Sequence, residues 1–151
     1  MAQHSGMGRS QERLRETFVV AESTRRSMQS NRSIDTQPEV KLRAAVWAAG
    51  LRGYRKNPKG MPGRPDLVFS KHKLAVFVHG CFWHRCPTCN PSSPRTNALF
   101  WSEKFRTNVE RDERNREKLE GLGYRVLVIW ECELKESVGE QVERIRASLA
   151  K

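Results

Sequence analysis

Residues 124–130, Tyr124-Arg125-Val126-Leu127-Val128-Ile129-Trp130, form a nearly continuous run of β-branched, aromatic and leucine side chains. A run without polar alternation predicts a strand buried on both faces of a sheet. Before it, Gly121 and Gly123 stop a charged helix over 98–121, on which Trp101, Phe105, Asn108 and Asp112 recur at helical spacing and share a face. After it, the Ser137-x-x-Glu140 capping box opens an amphipathic helix with Val138, Val142, Ile145 and Leu149 on one stripe.

Further upstream, Asp66 to Ser70 and Leu74 to Val78 are β-rich runs separated by Lys71-His72-Lys73, a hairpin pattern that puts Asp66 at the mouth of a strand. Gly53 to Lys56 reads as a short edge strand, and 57–65 as a loop dense in Pro and Gly. The first helix starts near Asp35-Thr36, ahead of Pro38, and reaches Gly50. Val40, Ala44, Trp47 and Leu51 form its expected apolar stripe, with Glu39 about one position off it. Helix, three strands, long helix, buried strand, helix: this order predicts an α/β domain, a small mixed sheet flanked by helices.

The chain of 151 residues is long enough for a single core. Residues 1–34 are rich in Ser, Gln and Arg around the short run Phe18-Val19-Val20, and are expected to form a basic flexible arm before a domain at 35–151. Lys and Arg number 28 against 17 Asp and Glu, a net charge of +11 that favours a polyanionic partner. No apolar run has the roughly 18 residues of a membrane span, and no secretory apolar segment opens the chain. A cytosolic protein with reduced thiols is expected.

The four cysteines are spaced Cys81-x4-Cys86-x2-Cys89, then Cys132. Clustered thiols in a reducing compartment point to a closed tetrahedral zinc site that pins the segment from Gly80 to Asn97. Three thiols with His84 as fourth ligand, or four ordinary buried thiols, are the alternatives. Asp66 follows a basic Gly-containing turn, Pro62-Gly63-Arg64-Pro65, where a carboxylate suits Mg²⁺ beside a phosphate, and Glu39 suits a metal-bound water. His79 and His84 bracket Cys81, and a neutral imidazole there can accept a proton from water, with Asp112 to orient it. Phe82, Trp83 and Trp101 either wedge between base pairs or roof the zinc site, and Met28 in the arm is a further candidate wedge.

These residues resemble a known family, the very short patch repair DNA mismatch endonucleases. The resemblance runs from about Thr24 to Lys135 and rests on Pro62-Gly63-Arg64-Pro65-Asp66, His79-Gly80-Cys81-Phe82-Trp83-His84, Asn108-Val109-Glu110-Arg111-Asp112, and Gly123 to Leu127 with Trp130-Glu131-Cys132. It implies a restriction-endonuclease-like fold with a structural zinc site, and nicking of one strand beside the thymine of a T:G mismatch left by deaminated 5-methylcytosine. By the same resemblance Asp66 and the Val78 carbonyl hold Mg²⁺, Glu39 and His79 hold metal-bound waters, and His84 with Asp112 activates the attacking water. Phe82, Trp83 and Trp101 match the intercalating rings, Met28 a side chain entering from the opposite groove, and Arg64 is expected to grip backbone phosphate.

Two departures stand out. Some relatives carry a histidine ligand where this chain has Cys86, so the zinc site is expected to be all sulfur. Where many related nucleases have Glu-x-Lys, this chain has Val78-His79-Gly80, so a histidine mechanism replaces the lysine one. The expected setting is a monomer at the bacterial nucleoid, working with double-stranded DNA, mismatch-repair proteins and a cytosine-5 methyltransferase system. A nickase of the same fold with another lesion or sequence preference is the alternative, as is a non-catalytic zinc-stabilised DNA-binding module.

Overall fold

The computed structural model describes residues 34–151. Met28 and the arm up to residue 33 lie outside the described residues. In chain order the elements are α1 (Gln37–Ala48), β1 (Arg55–Lys56), β2 (Leu67–Phe69), a 3-10 turn (Ser70–His72), β3 (Leu74–His79), a one-turn α2 (Cys81–His84), α3 (Ala98–Gly121), β4 (Arg125–Trp130), α4 (Glu131–Glu136) and α5 (Val138–Leu149). The sheet has the order β1-β2-β3-β4, with β1, β2 and β3 antiparallel in turn and β4 parallel to β3. This is a mixed sheet flanked by helices, an architecture that fits a restriction-endonuclease-like domain.

The register explains the layers. Leu67 pairs with Val76 and Val76 with Leu127, while Val78 pairs with Ile129, so these side chains share one face. They pack with Leu42 and Val46 of α1, Leu134 of α4, and Val142 and Ile145 of α5 into the main core. The opposite face carries Val68, Ala75, Phe77, His79, Val126, Val128 and Trp130, and α3 packs against β4 there. Each fully buried aliphatic side chain contributes roughly 1.5–3 kcal/mol to the fold.

Three expectations are corrected. The buried face of α1 is Glu39, Leu42 and Val46, whereas Val40 and Trp47 are 46% and 57% exposed. Alanines and the aliphatic stem of Arg43 blur the helical stripe, so pattern alone selected the wrong side. Second, β4 is an edge strand among the described residues and only Ile129 is buried; Val126, Val128 and Trp130 are half-buried because they wall a cleft, and Leu127 packs against the core from the edge. Third, the segment after β3 is not wholly irregular, since Cys81–His84 closes a helical turn through His84 N donating to Gly80 O at 3.1 Å. Helix α4 also went unforeseen. The capping box of α5 forms as expected, with Ser137 Oγ accepting from Glu140 N at 3.2 Å.

Candidate active site

The topology delivers the chemistry to one end of the sheet. Because β2 and β3 are antiparallel, the start of β2 lies beside the end of β3; because β3 and β4 are parallel, their ends coincide, with His79 opposite Trp130. Asp66, His79, the Cys81 turn and Cys132 therefore converge, although they are far apart in the chain. Crevices outside the carboxyl ends of parallel strands are common ligand sites in open α/β sheets.

A cleft of about 1030 Å³ opens there, lined by Glu39, Asp66, Val78, His79, His84 and Asp112 together with Arg64 and Trp83. Asp66 is 9% exposed and Glu39 5%. Asp66 Oδ2 accepts from Val78 N at 2.6 Å, and Glu39 Oε2 accepts from Asp35 N at 2.9 Å. Burial pushes the Asp66 carboxyl up to about 7; the nearby Glu39 charge and a hydrogen bond that protonated Asp66 donates to Glu39 add to this, while the Val78 amide and Arg43 oppose it. Two carboxyl groups crowded in a buried site suit a hard divalent cation, which removes their mutual repulsion.

The second grouping is an imidazole pair. His84 Nδ1 lies 2.5 Å from Asp112 Oδ2, and the His79 and His84 rings stack at 4.0 Å with 8° between their planes. Burial pushes His79 down to about 4, helped by the neighbouring His84 and Arg111 charges and opposed by Asp112, so its ring is neutral at pH 7. Its Nδ1 is buried without a protein partner among the described residues. Asn108 Nδ2 donates to Trp83 O at 3.1 Å, fastening α2 to α3 so that His84 meets Asp112.

The loop carrying Asp66 is pressed on α3. Gly63, at φ +72°, lies so close that a Cβ there would sit 3.0 Å from Asn115 Cβ and 3.1 Å from Asn115 Nδ2. Gly63→Ala thus meets both a clash and a left-handed backbone that costs a residue with a side chain roughly 1–2 kcal/mol. For the nicking activity that the resemblance implies, the expected result is a tenfold or larger fall in single-turnover rate with only that modest loss in denaturant stability. Equal nicking rates would show that the loop tolerates displacement.

Beside the cleft, the sulfur atoms of Cys81, Cys86, Cys89 and Cys132 all lie within 4.8 Å of one another. Cys86 Sγ and Cys132 Sγ are 3.8 Å apart, and all four thiols are free. Ligands at a Zn–S distance of about 2.3 Å from a tetrahedral centre stand about 3.8 Å apart, whereas a disulfide needs about 2.05 Å. The donor set therefore fits one tetrahedral ion, and His84 is engaged elsewhere. Burial and crowding by Cys81 and Cys86 push the Cys132 thiol up to about 11 when no cation is present.

Phe82, Trp83, Trp101 and Phe105 form a cluster, with Phe82 edge-on to Trp83, Trp101 and Phe105 at 5.0, 5.5 and 5.2 Å. Trp101 is buried in it, whereas Trp83 reaches the cleft. Arg85 lies over the Phe105 ring at 4.2 Å and donates to Phe82 O, Pro91 O and Ser93 Oγ, tying the cysteine loop to the rings. Sequence reading missed Arg85 and also Arg43, whose Nη2 is 2.6 Å from Asp35 Oδ1 and whose Nη1 is 3.9 Å from Glu39 Oε2. The i, i+4 spacing of Glu39 and Arg43 was the available signal.

The chain is similar to known proteins. Residues 18–90 match the family model described as DNA mismatch endonuclease Vsr. The chain is 49% identical over 104 residues to the type II nicking enzyme V.NmeAIP of Neisseria meningitidis serogroup A / serotype 4A, covering 68% of this chain and 73% of that protein. It is 44% identical over 126 residues to the type II nicking enzyme V.NaeI of Lentzea aerocolonigenes, covering 80% and 75%. It is also 39% identical over 110 residues to the DNA mismatch endonuclease Vsr of Escherichia coli strain K12, covering 73% and 70%.

A mixed α/β domain whose cleft joins a carboxylate pair to an imidazole–carboxylate pair, with relatives of these kinds, is a DNA endonuclease rather than a passive binding module. The chain belongs to the very short patch repair DNA mismatch endonuclease family. No helix among the described residues is long and apolar enough to cross a membrane.

Proposed function

We propose that this endonuclease, with Mg²⁺ held by Asp66 and the Val78 carbonyl, nicks one DNA strand beside the thymine of a T:G mismatch and so starts very short patch repair. The observation that carries the reading is the shared cleft of Asp66, Glu39, His79, His84 and Asp112. When bound, Mg²⁺ supplies charge stabilisation for the phosphate and the leaving oxygen. Glu39 and neutral His79 orient water by hydrogen bonds. His84 accepts the proton of the attacking water at Nε2, while its Nδ1–H donates to Asp112, which holds the tautomer.

Zinc on the four cysteines holds α2 rigid, so that His84 and the ring cluster keep their places. Phe82 and Trp83 wedge at the mismatched step, with Trp101 buried behind them beside Phe105 as the third ring of the wedge, where unstacking costs less than in paired DNA. Met28 would enter from the other groove, and Arg64 grips a phosphate without reading sequence. The setting we infer is a monomer at the bacterial nucleoid, with mismatch-repair proteins and a cytosine-5 methyltransferase system as partners.

A second reading has its own support: two of the relatives above are named type II nicking enzymes, which favours a nickase that serves a modification system and reads its own flanking sequence. Nicking assays on duplexes carrying each mismatch in varied contexts separate the two. The proposal expects T:G to be cut at least about a hundredfold faster than paired DNA, a difference of about 2.7 kcal/mol in barrier. A preference for another lesion, or equal cutting of paired DNA, would remove the T:G assignment.

A further inference from the structure

A phosphodiester entering this cleft meets Glu39, Asp66 and Asp112, and needs an uncommitted cation to offset them. Five cations line the cleft: Arg64, Arg85, Lys104, Arg111 and Arg116. Arg85 is engaged with carbonyl oxygens and the Phe105 ring, and Arg116 Nε pairs with Glu120 Oε1 at 3.2 Å. Arg64 Nε donates to Asn57 O at 3.3 Å, on the loop that leads to Asp66.

Arg111 differs by its place on α3. Its helical neighbours three and four residues away are Thr107, Asn108, Arg114 and Asn115, none of them acidic. Arg106, on the same helix, is instead paired with Glu103 and Glu110. Arg111 is exposed and has no ion pair among the described residues. It is adjacent in sequence to Asp112, and its charge is felt at His79, which places it at the imidazole end of the cleft. Lys104 is also without an acidic helical neighbour, but it lies seven residues earlier, about 10 Å along the helix and towards the ring cluster.

We infer that Arg111 binds the phosphate that is cut, supplying a protein-borne positive charge beside the imidazole pair. The inference rests on the nuclease reading of the cleft and adds a substrate-touching residue to it. The guanidinium suits a two-point grip on phosphate oxygens, and the absence of a carboxylate partner leaves its donors free for that contact. A preplaced charge of this kind stabilises the transition state more than the ground state.

Arg111→Gln in the full-length chain is expected to lower single-turnover nicking about a hundredfold, Arg111→Lys to recover part of the loss, and the pH profile to keep its shape. Binding to a fully paired duplex without Mg²⁺ should lose about one from the slope of log affinity against log salt. Arg106→Gln, on the paired outer side, should change neither. A methylphosphonate at the mapped nick site should weaken the wild type but cost Arg111→Gln nothing further.

An unchanged salt slope would overturn phosphate binding by Arg111. A reduced slope with normal nicking, or additive penalties in the methylphosphonate cycle, would overturn its assignment to the cut phosphate. The salt-slope arm needs neither catalysis nor a mismatch, so its outcome stays separable from the proposals for Asp66 and for the lesion.

Discussion

Asp66→Ala is expected to abolish Mg²⁺-dependent nicking while leaving DNA affinity within a few fold. The physical reason is that Asp66 is buried at the cleft wall with Glu39 as its neighbour, so nothing exposed to a DNA backbone changes, whereas the anchor for the cation disappears. A single-turnover assay across Mg²⁺ concentrations, run beside a binding titration, decides it. Unchanged nicking would remove the proposed mechanism.

The companion variant Asp66→Asn gives a stability readout whose sign follows from the carboxyl. Without a cation the folded protein raises this group from 3.8 to about 7, so the folded state holds its proton more tightly than the unfolded chain does. Its contribution therefore becomes increasingly unfavourable as pH rises from about 4 towards 7, and stays so above that. Mg²⁺-free Asp66→Asn should exceed the wild type by about 1–3 kcal/mol at pH 8, with the gain fading near pH 4. Urea unfolding in buffer free of Mg²⁺ but with the zinc site loaded tests this, and a less stable variant at pH 8 would contradict it.

The other large effect concerns the thiols. Purified without added metal, the protein should carry about one equivalent of zinc, and Cys132→Ser should lose the ion and several kcal/mol of stability. Cys132 lies in the first turn of α4, which also carries core Leu134, so that variant affects packing as well as binding. Cys89→Ser is the sharper probe. Cys89 is exposed, so losing its sulfur costs no core packing and any loss of folding must come through the ion. Nicking should fail in both variants because α2 carries His84 and is held to the domain by this cluster. Two disulfides found by mass spectrometry, or full metal content in Cys89→Ser, would remove the zinc assignment.

Much of this was legible from residues because local rules govern it. The limits of α3 agree with the predicted 98–121, since two glycines and a change of period mark its end. The hairpin from Asp66 formed in the expected order, with Lys71-His72-Lys73 at its turn. The face of α3 bearing Trp101, Phe105, Asn108 and Asp112 also formed, and it explains how Asp112 reaches His84.

What the amino-acid order determined by itself was the inventory: the longer elements and their succession, though not the short helices α2 and α4, a thiol set able to bind one ion, and the types of side chain that phosphodiester hydrolysis requires. Tertiary structure alone decided that α1 turns Glu39 inward and Trp47 outward, that β4 takes the edge, and that Asp66 stands beside Val78 and Glu39. Helical and strand periods report on neighbours within a few residues. Which face is buried, and which distant carboxylates meet, depends on the register and direction of strands that pair across long stretches of chain, and on the core that α1, α4 and α5 close over them.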